Sequence, residues 1–190
     1  MRLRCTGWVT SAALEGFLEI EIKFELQREL FRRYPRLFRR PGHNTGRGAE
    51  QRLPFDERGV ECGDGWFLII DRLSQACERE VERLAAEGAP REDWPRVAQI
   101  KEKFGSLRFR VWGQLSDALR ALILGVEETE SRYTCERCGL ARTPRSGDDL
   151  STYCGACQAE CETGGLQEEF SEVAKDRQAA LRALLDSRPQ

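Results

Sequence analysis

Cys135-Glu136-Arg137-Cys138 and Cys154-Gly155-Ala156-Cys157 are two Cys-x-x-Cys pairs with fifteen residues between them. This spacing is that of a four-thiolate metal site: each pair forms a tight knuckle, and the loop brings the knuckles together. Four soft thiolates in a tetrahedron suit Zn2+ and leave no open position for water or substrate. The expectation is one structural zinc held by Cys135, Cys138, Cys154 and Cys157. Two disulfides or unrelated thiols are the alternatives, and eight cysteines in a chain with no secretory signal speak against a disulfide framework. Cys161, four residues past Cys157, is a competing ligand if the second knuckle slides, and otherwise a spare buried thiol. His43, the single histidine, lies far upstream, which argues against a mixed Cys/His site.

The same scarcity of histidine leaves little for acid–base or nucleophile chemistry. Cys62 and Cys77 have no histidine beside them and are expected as core thiols. A metal-dependent nuclease would need acids and a lysine converging near a hairpin, and Asp64, Asp71, Glu102 and Lys103 are the candidates. Glu102, however, falls on the apolar side of its strand, where a carboxylate beside Phe109 requires a partner. A non-enzymatic protein is the expectation.

The elements that must position these residues follow from periodicity. Phe17, Ile20, Phe24, Leu30 and Phe31 are roughly helical from about Ala12, with an end near Tyr34 because Pro35 disfavours helical backbone before it. Residues 36–62 form a flexible Arg/Gly loop within an α+β core spanning 24–132, behind an N-terminal extension of 1–23. Gly63-Asp64-Gly65-Trp66 opens the clearest helix, with Asp64 as N-cap and Trp66, Ile70, Leu73, Cys77, Val81 and Leu84 as one apolar stripe. Gly88 suits the left-handed residue that ends it. Val97 to Trp112 forms a β-hairpin turned by Gly105-Ser106, pairing Lys103 with Arg108, Lys101 with Arg110 and Ile100 with Val111. Alternation puts Ile100, Phe104, Leu107, Phe109 and Val111 on one face and Lys101, Lys103, Arg108 and Arg110 on the other. Leu115, Leu119, Leu122, Ile123 and Val126 mark a helix that runs to the first knuckle. A zinc-ribbon-like module built on the four cysteines covers 133–162, and a last helix of about 167–185 lies within 163–190.

Net charge is −2, which excludes a uniformly basic chain but not a basic patch. Residues 28–52 carry eight arginines against two glutamates. The hairpin's outer face places like charges opposite one another, which needs compensation. A nucleic-acid backbone would supply it, with Trp112 stacking on a base and Arg137, Arg142 and Arg145 extending the surface near the knuckles. Acidic side chains from a neighbouring helix would supply it equally. No run of about eighteen apolar residues is present, so no membrane partner is expected.

In Gly63-Asp64-Gly65-Trp66, the string Ile100-Lys101-Glu102-Lys103-Phe104-Gly105-Ser106-Leu107-Arg108-Phe109 and the late Thr134-Cys135-Glu136-Arg137-Cys138-Gly139, the chain resembles a group of small uncharacterised proteins of tailed phages and prophages. The resemblance runs from about Phe24 to Cys157. It implies a phage-linked setting in the bacterial cytoplasm and carries no catalytic residue. The combined expectation is a zinc-containing accessory protein that binds nucleic acid or an acidic host or phage protein through Lys101, Lys103, Arg108, Arg110, Trp112, Arg137, Arg142 and Arg145. A protein-binding inhibitor or adaptor aimed at a host complex, such as host defence, is the alternative.

Overall fold

The computed structural model describes residues 26–40, 52–144 and 150–163. The N-terminal extension, His43, Arg145 and the helix expected at 167–185 lie outside the described residues. The fold is α+β, with helices packed on and around a three-stranded mixed sheet of order β1-β2-β3. Helix α1 (residues 26–33) stops one residue before Tyr34, as Pro35 requires. A turn at residues 35–38 follows. Two parts of the segment expected as loop are regular structure instead: α2 (Pro54–Arg58), with Pro54 in its first turn, and β1 (Val60–Glu61). Both were hidden from periodicity because each is too short to show one. Phe31, Phe38 and Phe55 hold α1, the turn and α2 together, with ring centroids 5.3–5.9 Å apart.

A single 3₁₀ turn (Asp64–Trp66) leads into α3 (Phe67–Ala86). Asp64 lies inside this turn and Gly63 holds the cap position, which corrects the expectation that Asp64 is the cap. The apolar stripe is as expected: Trp66, Leu73, Cys77 and Val81 are fully buried, with Ile70 and Leu84 nearly so. The helix ends with Gly88 at φ 77°, while the N–H of Ala89 donates to Leu84 O and that of Gly88 to Ala85 O. Polar side chains fix α3 to its neighbours. Buried Asp71 accepts from Tyr34 Oη at 2.8 Å and from Arg33 Nη1 at 3.1 Å, and Glu78 accepts the backbone N–H groups of Arg36 and Leu37.

Strands β2 (Arg96–Lys103) and β3 (Ser106–Trp112) form the antiparallel hairpin, and β1 adds to β2 in parallel, Val60 beside Ile100 and Glu61 beside Lys101. The turn residues are Phe104 and Gly105, both with positive φ (54° and 78°), instead of Gly105 and Ser106. The pairs are therefore Lys103–Ser106, Lys101–Arg108, Gln99–Arg110 and Ile100–Phe109, not those expected. Moving a two-residue turn by one position leaves each side chain on the same face, so the division into apolar and basic faces survives the changed register. The observed register stacks Ile100 directly on Phe109 and buries both with Leu107. Phe104 is thereby lifted out of the apolar face and is 51% exposed at the tip. Glu102 finds its partner in the turn, where its carboxylate accepts the N–H of Gly105 at 2.9 Å. A bulge between Val97 and Gln99 leaves Trp112 opposite Arg96.

Helix α4 (Asp117–Gly125) is capped by Ser116 Oγ, which accepts the N–H of Leu119. It continues through a π turn (Val126–Glu130) into α5 (Ser131–Tyr133) and so reaches the first knuckle, as expected; of the expected stripe Leu119, Ile123 and Val126 are buried, whereas Leu115 precedes the helix and Leu122 is exposed. Helix α6 (Gly155–Thr163) follows the second cysteine pair. No helix among the described residues is long and apolar enough to cross a membrane.

Candidate metal centre

The first knuckle sits in a small hairpin. Thr134 bridges Ala141, the N–H of Cys135 donates to Leu140 O at 2.8 Å, and that of Arg142 donates to Tyr133 O. A tight turn brings the N–H of Gly139 onto Cys135 O at 2.7 Å. The second pair is not a hairpin loop of the ribbon kind. Cys154 immediately precedes α6 and Cys157 lies in its first turn, so the two sulfurs leave the same side of a helix three residues apart. A helix N-terminus also favours thiolate over thiol.

The four sulfurs lie within 4.8 Å of one another, and Cys135, Cys138 and Cys157 are buried. Cys138 Sγ and Cys154 Sγ are 3.7 Å apart, far beyond a disulfide bond. A tetrahedron with metal–sulfur bonds of about 2.3 Å has an edge of about 3.8 Å. The cluster thus has the chemistry and spacing to hold a metal ion. Hydrogen bonds from the thiols of Cys138 and Cys157, with backbone N–H groups of Cys138 and Cys154, hold Cys135 well below the ordinary thiol range. That leaves Cys138 pushed up to about 11, and Cys157 pushed up further, by the Cys135 they donate to. Four neighbouring thiolates form together only when a cation balances them. Among the described residues this is the one group of metal-ligating side chains that converges.

Cys161 stays out of the cluster. It lies one helical turn beyond Cys157, with Arg137 Nη1 3.8 Å from its sulfur. Cys62 and Cys77 are core thiols, and burial pushes Cys77 up to about 12. The acids considered for hydrolysis do not gather: Asp71 is bound to Arg33 and Tyr34, and Glu102 to the hairpin turn.

The centre is joined to the core by contacts between residues some seventy positions apart. Glu136, inside the first knuckle, accepts the N–H of Gly65 on its carbonyl at 2.8 Å and that of Gly63 on its carboxylate at 2.9 Å. The other carboxylate oxygen accepts from Thr152 Oγ1, and the N–H of Glu136 donates to Thr152 O. Trp66 Nε1 donates to Thr134 O at 2.9 Å. The Gly-Asp-Gly-Trp turn is therefore the seat of the knuckle as well as the start of α3. The approach is so close that a Cβ on Gly65 would stand 2.3 Å from Cys135 O. Sequence reasoning missed this role; two glycines flanking one residue before a Trp was the available sign of a close backbone approach.

The basic residues divide into two groups. Arg142 is buried, its guanidinium donating to Ser151 O at 2.7 Å and to Gly105 O at 3.3 Å, so it ties the knuckle loop to the hairpin tip instead of lying on an open surface. Several arginines of the 28–52 stretch are likewise internal ties: Arg33 binds Glu29 and Asp71, and Arg39 donates to the carbonyls of Arg36, Arg91, Trp94 and Pro95. On the hairpin, Lys101, Lys103, Arg108 and Arg110 share the outer face, and Trp112 is 57% exposed beside them. Arg108 and Arg110 both lie near the Glu127 carboxylate, at 3.4 and 3.5 Å. Buried Glu127 also accepts the N–H of Phe109 at 2.7 Å, and Ser131 Oγ accepts that of Leu107 at 3.0 Å. Two side chains one helical turn apart thus close the free edge of β3. The compensating acid comes from a helix, as the plainer expectation had it, and serves two of the four cations.

The chain matches no protein-family model, no curated protein and no solved structure.

Proposed function

We propose that the four cysteines hold one structural Zn2+ and that the protein is a zinc-stabilised binding module for nucleic acid. Zinc is favoured by an all-thiolate donor set within 4.8 Å, one edge of which, Cys138–Cys154, is 3.7 Å, and four protein ligands leave it no open position for catalysis. When bound, the ion supplies the charge that keeps four thiolates together and locks knuckle, loop and α6 into one unit. The single observation that carries the binding reading is the outer hairpin face, where Lys101, Lys103, Arg108 and Arg110 stand together beside exposed Trp112. The resemblance to phage proteins supports an accessory role in a bacterial cytoplasm.

The experiment is purification from expressing bacteria at low salt, before and after nuclease treatment, with wild type and a Lys101→Ala, Lys103→Ala, Arg108→Ala, Arg110→Ala variant. Nucleic acid should co-elute with wild type, wash away as salt rises, and be lost from the variant while the fold is kept. A defined host protein retained after nuclease and high salt would replace this reading with that of a protein-directed inhibitor or adaptor.

A further inference from the structure

We propose that the outer hairpin face is a site for single-stranded nucleic acid, with bases stacking on Phe104 and Trp112 at its two ends and phosphates held by the cations between. The inference rests on the nucleic-acid reading above and deepens it. Its first support is the turn. Phe104 sits at φ 54°, a left-handed conformation in which an aromatic residue is an outlier and Asn or Asp would be unstrained. Strain of this kind at an exposed tip points to a use for the side chain. The ring is 51% exposed, with Lys103 Nζ 5.0 Å above its centroid, which leans it toward the basic face.

The second support is the placing of Trp112. It is 57% exposed at the far end of β3, six residues from Ser106 at about 3.4 Å per residue, so the two aromatic platforms bracket roughly 20 Å. At about 3.4 Å per stacked nucleotide this accommodates no more than about six nucleotides.

The third support is charge. Lys101 has Glu61 beside it across the parallel pair, and Glu127 serves Arg108 and Arg110. Four cations against two acids suit two to four phosphates. A duplex binder of useful affinity makes about six to ten such contacts. Aromatic stacking supplies the missing affinity only for unpaired bases, since a duplex hides their faces.

The test uses the full, zinc-loaded chain and fluorescein-labelled eight-nucleotide oligothymidylate, with a hairpin duplex as comparison, read by anisotropy across a salt series. Phe104→Asn removes the ring while improving the turn, and Trp112→Ala removes an exposed side chain. Neither touches the core. The single strand should bind at least about tenfold more tightly than the duplex, and each variant should lose about tenfold on the single strand alone. The slope of log K against log salt should lie between about −1.4 and −2.8. Equal binding of both forms, indifferent to both substitutions, overturns the single-strand inference and leaves the nucleic-acid reading standing. Absence of binding to either overturns both.

Discussion

Replacing Gly65 with Ala tests whether the four-cysteine cluster and the helical core are one mechanical unit. The added Cβ would lie 2.3 Å from Cys135 O, 2.4 Å from Gly139 N and 2.6 Å from Glu136 O, all backbone atoms that no rotamer change can move. Restoring ordinary contact requires the start of α3 and the knuckle to part by about 1 Å. That takes Gly65 N–Glu136 O, Gly63 N–Glu136 Oε1 and Trp66 Nε1–Thr134 O, now 2.8–2.9 Å, beyond hydrogen-bond range. Three such bonds at about 1 kcal/mol each, with overpacking of about 1–3 kcal/mol, give a loss of roughly 4–6 kcal/mol. For a chain of this size that lowers Tm by about 10 °C or more. Gly88→Ala is the control. Its φ of 77° strains an Ala by about 1–2 kcal/mol, but nothing lies within 4 Å of the new Cβ. Denaturant unfolding, with metal release to a chromogenic chelator followed in parallel, separates the two: Gly65→Ala should release metal faster than wild type although every cysteine is intact, and Gly88→Ala should not. A Gly65→Ala protein within about 1 kcal/mol of wild type, with unchanged release, would refute the docking described for Glu136.

Cys135→Ser and Cys154→Ser should each lower bound zinc from about one per chain toward zero and destabilise the knuckle region, measured by elemental analysis and thermal melts; full zinc content in both would sink the four-cysteine assignment. Glu127→Gln keeps an oxygen for the N–H of Phe109 but removes the charge beside Arg108 and Arg110, so polyanion affinity at low salt should rise severalfold with little change in Tm. Glu127→Ala leaves that N–H without its partner and should cost about 2–3 kcal/mol in urea unfolding. Tyr34 is held well above the ordinary tyrosine range by burial and by its hydrogen bond to Asp71. A raised pKa contributes stability that is complete below about pH 10 and lost as pH rises further. Tyr34→Phe should flatten that alkaline decline, and an absorbance titration should show one of the three tyrosines ionising late.

What the sequence by itself determined is what depends on spacing along the chain. Cys-x-x-Cys fixes two sulfurs within one turn of backbone whatever surrounds them. A stripe from Trp66 to Leu84 at helical period can be buried along one side of α3 only if the segment is helical. Alternation from Ile100 to Val111 divides the hairpin into an apolar and a basic face in either register, because both registers share the parity of the pleat. The end of α1 before Pro35 and the left-handed Gly88 are local backbone rules of the same kind. Tertiary structure alone decided what depends on residues far apart. The turn moved from Gly105-Ser106 to Phe104-Gly105 because that register lays Ile100 on Phe109 and gives the Glu102 carboxylate an N–H. Glu127, in the π turn, and Ser131, just after it, close the edge of β3, and no pattern in either segment announces the other. Arg142, one more cation in a basic list, is buried because Ser151 O and Gly105 O converge on it from two loops. Gly65 shows the division most plainly. Its missing side chain reads as a helix start, and the reason for it is the distant Glu136 carbonyl, which must come within hydrogen-bond distance of its nitrogen.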